Sequence, residues 1–408
     1  MLIAGIVMLS LVLVGVGSAA IFARSACDAL APTPLGVGGS ASLAEPADPT
    51  IAWLTEHVGE LTGVVDVAGA ETLAATNAGV AVLGESASLL SPDGSSVVAS
   101  VALGEGSVVG SGDTLYSLAL TNELTGQVDA LLPLDTTQDG GLASRTCVDT
   151  ALVGSPLAFH LAADDGELLL LRVEDDGEDT EIELRDPIAG TVWSRSLESS
   201  LLPPGVLGEW TTGALSGDLA VVGRRTAPDD DSPVVTALER GDGTIRWTVD
   251  PDRLADGSQS GHPQRVEVLD AAEAAVFVGF TDEPESDDPE TAPETDPEAV
   301  PATDDAAAAT VASRLVALAS TDGRVLWSVS GKAGERVRAA AVSDQGGWTV
   351  LEGSNGALRL LQVDADGEPI GSAEVDGAYG GLAAVGDDLL FAHGGGFVWG
   401  TGTELSAA

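Results

Sequence analysis

The sequence predicts an all-β protein built from repeated hairpins, and three observations carry that expectation. Ala, Val, Leu, Gly, Thr and Ser dominate the 408 residues, and the 51 glycines outnumber the 17 basic residues. That composition suits many short strands joined by glycine turns. With 44% hydrophobic residues and a mean hydropathy of +0.21, the chain can bury a large core. One ten-residue pattern also recurs: a leading Leu, polar residues, a turn Gly and, in its strongest copies, a Trp.

Aligned on the leading Leu, the windows LASTDGRVLW (318–327), LERGDGTIRW (238–247) and LRDPIAGTVW (184–193) match without gaps. LLSPDGSSVV (89–98), LTNELTGQVD (120–129) and LQVDADGEPI (361–370) keep the Leu and the turn glycine but carry Val98, Asp129 and Ile370 where the others carry Trp. Each window reads as a hairpin: an alternating strand, a Gly at its φ > 0 position, and a second strand. Segments such as GDLAVVGRR and EAAVFVGF supply further strands. The window starts lie 31, 64, 54, 80 and 43 residues apart, and the 80 contains an insertion. Periods of about 40 to 55 residues with several strands each are the spacing of propeller blades. The expectation is therefore a β-propeller of about seven four-stranded blades over residues 51–408, with six to eight compatible; a remnant at 387–405 could close the ring with strands from the N-terminal side. Trp193, Trp247 and Trp327 are assigned to blade packing, because a large aromatic at a fixed place on the outer hairpin can wedge against the adjacent blade.

The pattern, clearest in ALERGDGTIRW and ALASTDGRVLW, resembles the PQQ-like repeat β-propeller family over residues 60–405, strongly in three windows and weakly in three. The resemblance implies one of two activities: a quinoprotein dehydrogenase, or a non-catalytic scaffold such as the lipoprotein of the outer-membrane β-barrel assembly machine. The family's dehydrogenases carry adjacent cysteines beside the quinone and are usually longer, and this chain has neither feature. No catalytic residue is carried over, no cofactor is assigned, and PQQ itself is not expected. The scaffold branch is the expectation.

MLIAGIVMLSLVLVGVGSAAIF is an uncharged apolar run of 22 residues ahead of Arg24, long enough to cross a hydrocarbon core of roughly 30 Å as a helix. Ser18-Ala19-Ala20 offers small residues for signal cleavage, but the basic n-region of a signal peptide is missing, so residues 1–24 read as an uncleaved anchor. Ser25-Ala26-Cys27 resembles the end of a lipobox, with Arg24 where an aliphatic residue belongs. Arg24 alone would keep the downstream domain in the cytoplasm; the acidic domain and the two cysteines favour the opposite side. The expectation is a single-pass cell-membrane protein with an extracytoplasmic propeller. Residues 25–50, rich in Pro, Gly, Ala and Ser, read as a flexible spacer. Cys27 and Cys147 lie too far apart for a CxxC motif or a cysteine zinc site; they form one disulfide if the chain is exported, or remain two thiols.

The net charge of −47 and pI near 4.1 oppose binding to nucleic acid or anionic lipid, and Lys332 is the only lysine. So acidic a surface fits either a solubility adaptation or capture of cations or a basic partner. Residues 281–305 hold eleven acidic residues, five prolines and no basic residue. They cannot bury apolar area, and 281–308 is expected to be a disordered loop between two strands of one blade.

Candidate chemistry is sparse. His57, His160, His262 and His393 are isolated, and neither a nucleophile elbow nor a P-loop occurs. HGGGFVWG (393–400) reads as a tight hairpin. Asp135-x-Thr137-x-Asp139-Gly140 and Gln362-x-Asp364-x-Asp366-Gly367 begin like EF-hand loops, but position twelve is Thr146 or Ala373, so both read as turns. No catalytic or metal-binding residue is assigned. The functional expectation is a protein-binding or scaffolding module with a cell-envelope partner, acting through blade-connecting loops. The alternative is a small-ligand or metal sensor, or an enzyme, using the propeller's central channel.

Overall fold

The computed structural model describes Cys27, Leu30, Thr33–Leu35 and, from Leu61 to Thr401, the strands and turns named below. Residues 1–26, 36–60, 150–156, 174–179, 197–209, 225–233, 255–264, 283–311 and 402–408, with shorter stretches between strands, lie outside the described residues. The expected anchor and nearly all of the expected acidic loop fall there, as do His57 and His262. Among the described residues no helix is long and apolar enough to cross a membrane.

β1 (Thr33–Leu35) and β2 (Leu61–Asp66) precede the first meander, β3 (Ala70–Thr76), β4 (Gly79–Gly84), β5 (Ser86–Leu90) and β6 (Val97–Ala102), and β1 adds a fifth strand on β6. The next group is β7 (Gly106–Ser111), β8 (Thr114–Asn122) and β9 (Gln127–Thr136), whose outer edge pairs with two short pieces, β10 (Leu142–Ser144) and β11 (Val148–Asp149), and touches the first strand of the following meander where Gln127 pairs with Phe159, which links the two groups into one nine-stranded sheet. Four regular four-stranded meanders follow: β12 (Leu157–Asp164) to β15 (Gly190–Ser196) through β13 (Glu167–Val173) and β14 (Thr180–Asp186); β16 (Trp210–Ser216), β17 (Leu219–Arg224), β18 (Val235–Glu239) and β19 (Ile245–Val249); β20 (Arg265–Ala271), β21 (Ala275–Asp282), β22 (Ala312–Ala319) and β23 (Val325–Ser330); β24 (Glu335–Ser343), β25 (Gly346–Gly353), β26 (Leu358–Asp364) and β27 (Pro369–Val375). A four-residue helix, α1 (Pro251–Leu254), follows β19.

The last sheet is made of β28 (Tyr379–Val385), β29 (Asp388–His393), β30 (Phe397–Thr401) and the N-terminal β2, which pairs with β30. Its β29–β30 hairpin is the glycine run at 393–400. An outer strand borrowed from the N-terminal side ties the two ends of the domain together. The expectation of seven four-stranded blades needs correction, because among the described residues five groups have four strands. The two N-terminal groups depart: one gains β1, and the other has a broken outer strand.

That break also corrects the repeat frame. The window 120–129 spans β8 and β9, the second and third strands of their group, whereas the other five windows span third and fourth strands. The equivalent hairpin is LDTTQDGGLA (134–143), between β9 and β10; moving the frame there replaces the intervals of 31 and 64 residues with 45 and 50. Both segments resembling EF-hand loops therefore join third and fourth strands, 135–140 between β9 and β10 and 362–367 between β26 and β27.

The core lies between blades. Val221, Ala237, Trp247 and Val249 of one blade pack on Val266, Val276, Val278 and Leu318 of the next, and Leu169, Leu184 and Trp193 meet Leu215, Ala220 and Leu238 in the same way. β17 is buried along its whole length, which is why its sequence, LAVVGR, shows no polar alternation.

Candidate functional site

The assigned tryptophans stand at the contacts between blades. Trp193, on β15, donates its Nε1–H to the carbonyl of Arg240 at 2.7 Å; Trp247, on β19, to that of Ser320 at 2.8 Å; Trp327, on β23, to that of Ala365 at 3.1 Å. Each acceptor lies in the outer turn of the following blade. That turn also seats the ring, since a Cβ on Gly243 or Gly323 would stand 2.6 Å from the indole of Trp193 or Trp247. Both glycines have positive φ, 70° and 68°, so the turn needs glycine twice over: for its backbone and for the approach of the indole. Gly367 receives Trp327 in the same way.

A bulge aims each tryptophan. Trp193, Trp247 and Trp327 are preceded by one extra residue, Val192, Arg246 and Leu326, that the partner strand does not match, and a bulge raises the local twist of the strand. In the weaker windows the extra residues are Val98 and Ile370, so the positions equivalent to Trp are Ala99 and Gly371. Neither can reach the next blade.

Deeper in the ring, small residues bring inner strands together. Gly223 on β17 sits where a Cβ would meet Thr212 Oγ1 at 2.8 Å and Val268 Cγ2 at 2.9 Å. Thr212 Oγ1 in turn accepts from Val268 N–H of β20, at 2.9 Å. One blade further on, Asp270 accepts from Val342 N–H of β24 at 2.8 Å and from Ala271 N–H at 2.9 Å. Asp270 keeps partial solvent contact, but protein surrounds its carboxyl; burial pushes its pKa up to about 6, the two N–H donors oppose the shift, and Asp164 adds to it. Sequence reading passed over Asp270, because β20 reads RVEVLDA and already carries Arg265 and Glu267, so a further acid near its end does not stand out.

The outer-turn end of the ring is cross-linked by arginine. Arg240 bonds Asp164 Oδ2 at 2.8 Å, Glu167 Oε2 at 2.6 Å and the Asp164 carbonyl at 2.8 Å, all in the preceding blade. Arg246 joins Asp218 and Glu239 at 2.6 Å each. Because the tryptophan contacts align the outer turns of four successive blades, the connections between second and third strands must leave from the opposite end. In three successive blades those connections are acidic: EDDGED (174–179), residues 225–233 with Asp229, Asp230 and Asp231, and 283–311. Paired Glu335 and Arg359 begin β24 and β26 at that end, with both side chains 12% exposed.

Cys27 and Cys147 are joined in a disulfide. Asp364 closes the turn that receives Trp327, its Oδ1 accepting from the N–H groups of Asp366 and Glu368 at 2.9 Å. His160 and His393 sit apart on β12 and β29. Among the described residues no group of three or more His, Cys, Asp or Glu side chains is arranged to hold a metal ion.

These features define a β-propeller whose blades are locked edge to edge. No protein-family model matches the chain, and no curated protein matches it. Among solved structures, a chain of the mitotic checkpoint complex is similar with a TM-score of 0.50 and 12% identity, over 86% of this chain and 95% of that one. BamB from Moraxella catarrhalis is similar with a TM-score of 0.43 and 14% identity, over 84% and 98%. The β-propeller domain of the trilobed protease from Pyrococcus furiosus follows with 0.43 and 11%, over 82% and 93%. At such identities the likeness concerns the fold alone.

Proposed function

We propose that this protein is a β-propeller scaffold of the PQQ-like repeat type that binds a protein partner with a basic surface, with no catalytic residue and no cofactor of its own. In this reading the two irregular N-terminal groups fill the remaining positions of a seven-part ring, and residues 1–24 hold it at the cell membrane with the propeller outside the cytoplasm. The observation that carries the proposal is the difference between the ring's two ends. One end is taken up by the chain's own tryptophan seats and by the bonds of Arg240 to Asp164 and Glu167. At the other, three adjacent blades join their second and third strands through sequences of net acidic charge, in a chain of net charge −47. A rigid frame that presents loops of one charge sign suits steering and recognition of a basic protein surface.

The test is crosslinked capture of the full-length protein from native membranes at the host's own salt, with proteins and small molecules both identified by mass spectrometry. A basic protein recovered with the wild type should be lost when Glu174, Asp175, Asp176, Glu178 and Asp179 are changed together to their amides. A retained small molecule or metal without a protein partner would overturn the scaffold reading and point to the central channel.

A further inference from the structure

The segment expected to begin a spacer is bound to the ring at three places. Leu30 is fully buried among Ala81, Leu83, Leu132 and Leu134. β1 pairs antiparallel with β6, Thr33 opposite Ala102 and Leu35 opposite Ser100. Cys27 is bonded to Cys147, which stands between β10 and β11, at the break in the outer strand of the adjacent group. The edge under β1 is unusual: β6 reads VVASVA and carries no charge and no proline, so nothing in its own sequence prevents pairing with another strand. β1 brings Pro34 to the new edge, and proline cannot extend a ladder.

We propose that the Cys27–Cys147 disulfide is a redox-sensitive latch that keeps an N-terminal strap, seated through Leu30 and β1, over the outer edge of β6. Ordering the strap costs backbone entropy at every residue. Against that cost stand one fully buried leucine side chain and a three-residue ladder. The chain already tethers the strap to the ring on its C-terminal side; the disulfide adds a second tether at Cys27, so a strap that lifts stays beside β6 and re-docks at a high effective concentration. Both cysteines are only partly buried, so a dithiol reductant can reach the bond. One of its thiolates attacks a sulfur to form a mixed disulfide, and its second thiol resolves that intermediate. The reductant leaves as a disulfide; two electrons and two protons end on Cys27 and Cys147 as thiols. The strap then lifts and the edge of β6 is exposed.

Hydrogen exchange followed by mass spectrometry on the full-length protein, oxidised and after treatment with a dithiol, tests this. Exchange at Ser100–Ala102, the part of β6 that β1 covers, should rise at least tenfold on reduction while β24–β27 is unchanged, and the double variant Cys27→Ala, Cys147→Ala should exchange like the reduced protein without any reductant. Unchanged exchange in β6 would mean that the strap stays seated on its own contacts. A rise throughout the ring would mean that the disulfide supports the whole fold. Either result overturns the latch.

Discussion

Trp247 and Ser320 lie 73 residues apart in sequence, yet the indole Nε1–H of the first donates to the carbonyl of the second at 2.8 Å, within the buried seam between two blades. Three residues after Ser320 comes Gly323, whose missing side chain leaves room for the same indole. Donor, acceptor and space are thus supplied by one repeat to its neighbour.

The pairing predicts a specific non-additivity. Trp247→Ala should destabilise the protein by about 3–5 kcal/mol, the usual cost of emptying a buried tryptophan site. Gly323→Ala should cost more than about 1 kcal/mol, from the positive φ and the indole together. In the double variant the clash has no partner, so its cost should fall well below the sum of the two. Denaturant unfolding of all three variants reads this directly, and simple additivity would show that the glycine serves only its turn.

Asp270 predicts a stability that falls as pH rises. Its folded pKa of about 6 lies above the unfolded value, so the folded state holds the proton more tightly. The fold is favoured below about pH 4, and that advantage disappears between there and pH 6, by at most about 3 kcal/mol. Asp270→Asn should flatten this part of the profile. An unchanged profile from pH 4 to 7 would clear Asp270 of any role in it.

Glu335 predicts the opposite slope. Burial raises its pKa, but the bonds from Arg359, the Lys332 N–H and the charge of Lys332 outweigh it and hold the carboxyl below its ordinary value. The pair therefore adds stability above the unfolded carboxylate range, near pH 4.3, and loses it as acid protonates Glu335. Arg359→Met should be destabilising by about 3 kcal/mol at pH 7 and nearly neutral once Glu335 is protonated. Equal loss at both pH values would assign the effect to packing of the arginine stem.

Arg240 predicts that charge alone is insufficient. Its Nε and Nη atoms bond Glu167 and both the carboxylate and carbonyl of Asp164, a fork that an ammonium cannot reproduce. Arg240→Lys should cost about 1–3 kcal/mol, and raising the salt should not narrow the gap from wild type, since these side chains are 11% to 26% exposed. Recovery in high salt would mean that the contribution is long-range charge instead.

The repeated hairpin was legible in the sequence because it is local: a leading Leu, a turn glycine and a Trp report strand, turn and strand within ten residues. The same local signal placed Trp193, Trp247 and Trp327 and made 393–400 a hairpin. What misled it was also local. LTNELTGQVD forms a good hairpin, as LERGDGTIRW does, and nothing within ten residues says that it lies between second and third strands; the interval of 31 residues was the only sign. Bulges were invisible too, so Ala99 and Gly371 passed unnoticed as the positions without a tryptophan.

By itself the sequence determined the strand-and-turn chemistry, the repeat spacing and the strongly acidic charge, because each depends on residue type and near neighbours. Only the tertiary structure decided which turn receives which tryptophan, that β2 closes the last sheet, that Leu30 and β1 belong to the first blade, and that Asp270 bridges two inner strands. Those are contacts between residues tens to hundreds of positions apart. They are fixed by how twisted sheets pack around a ring, and no local pattern encodes that geometry.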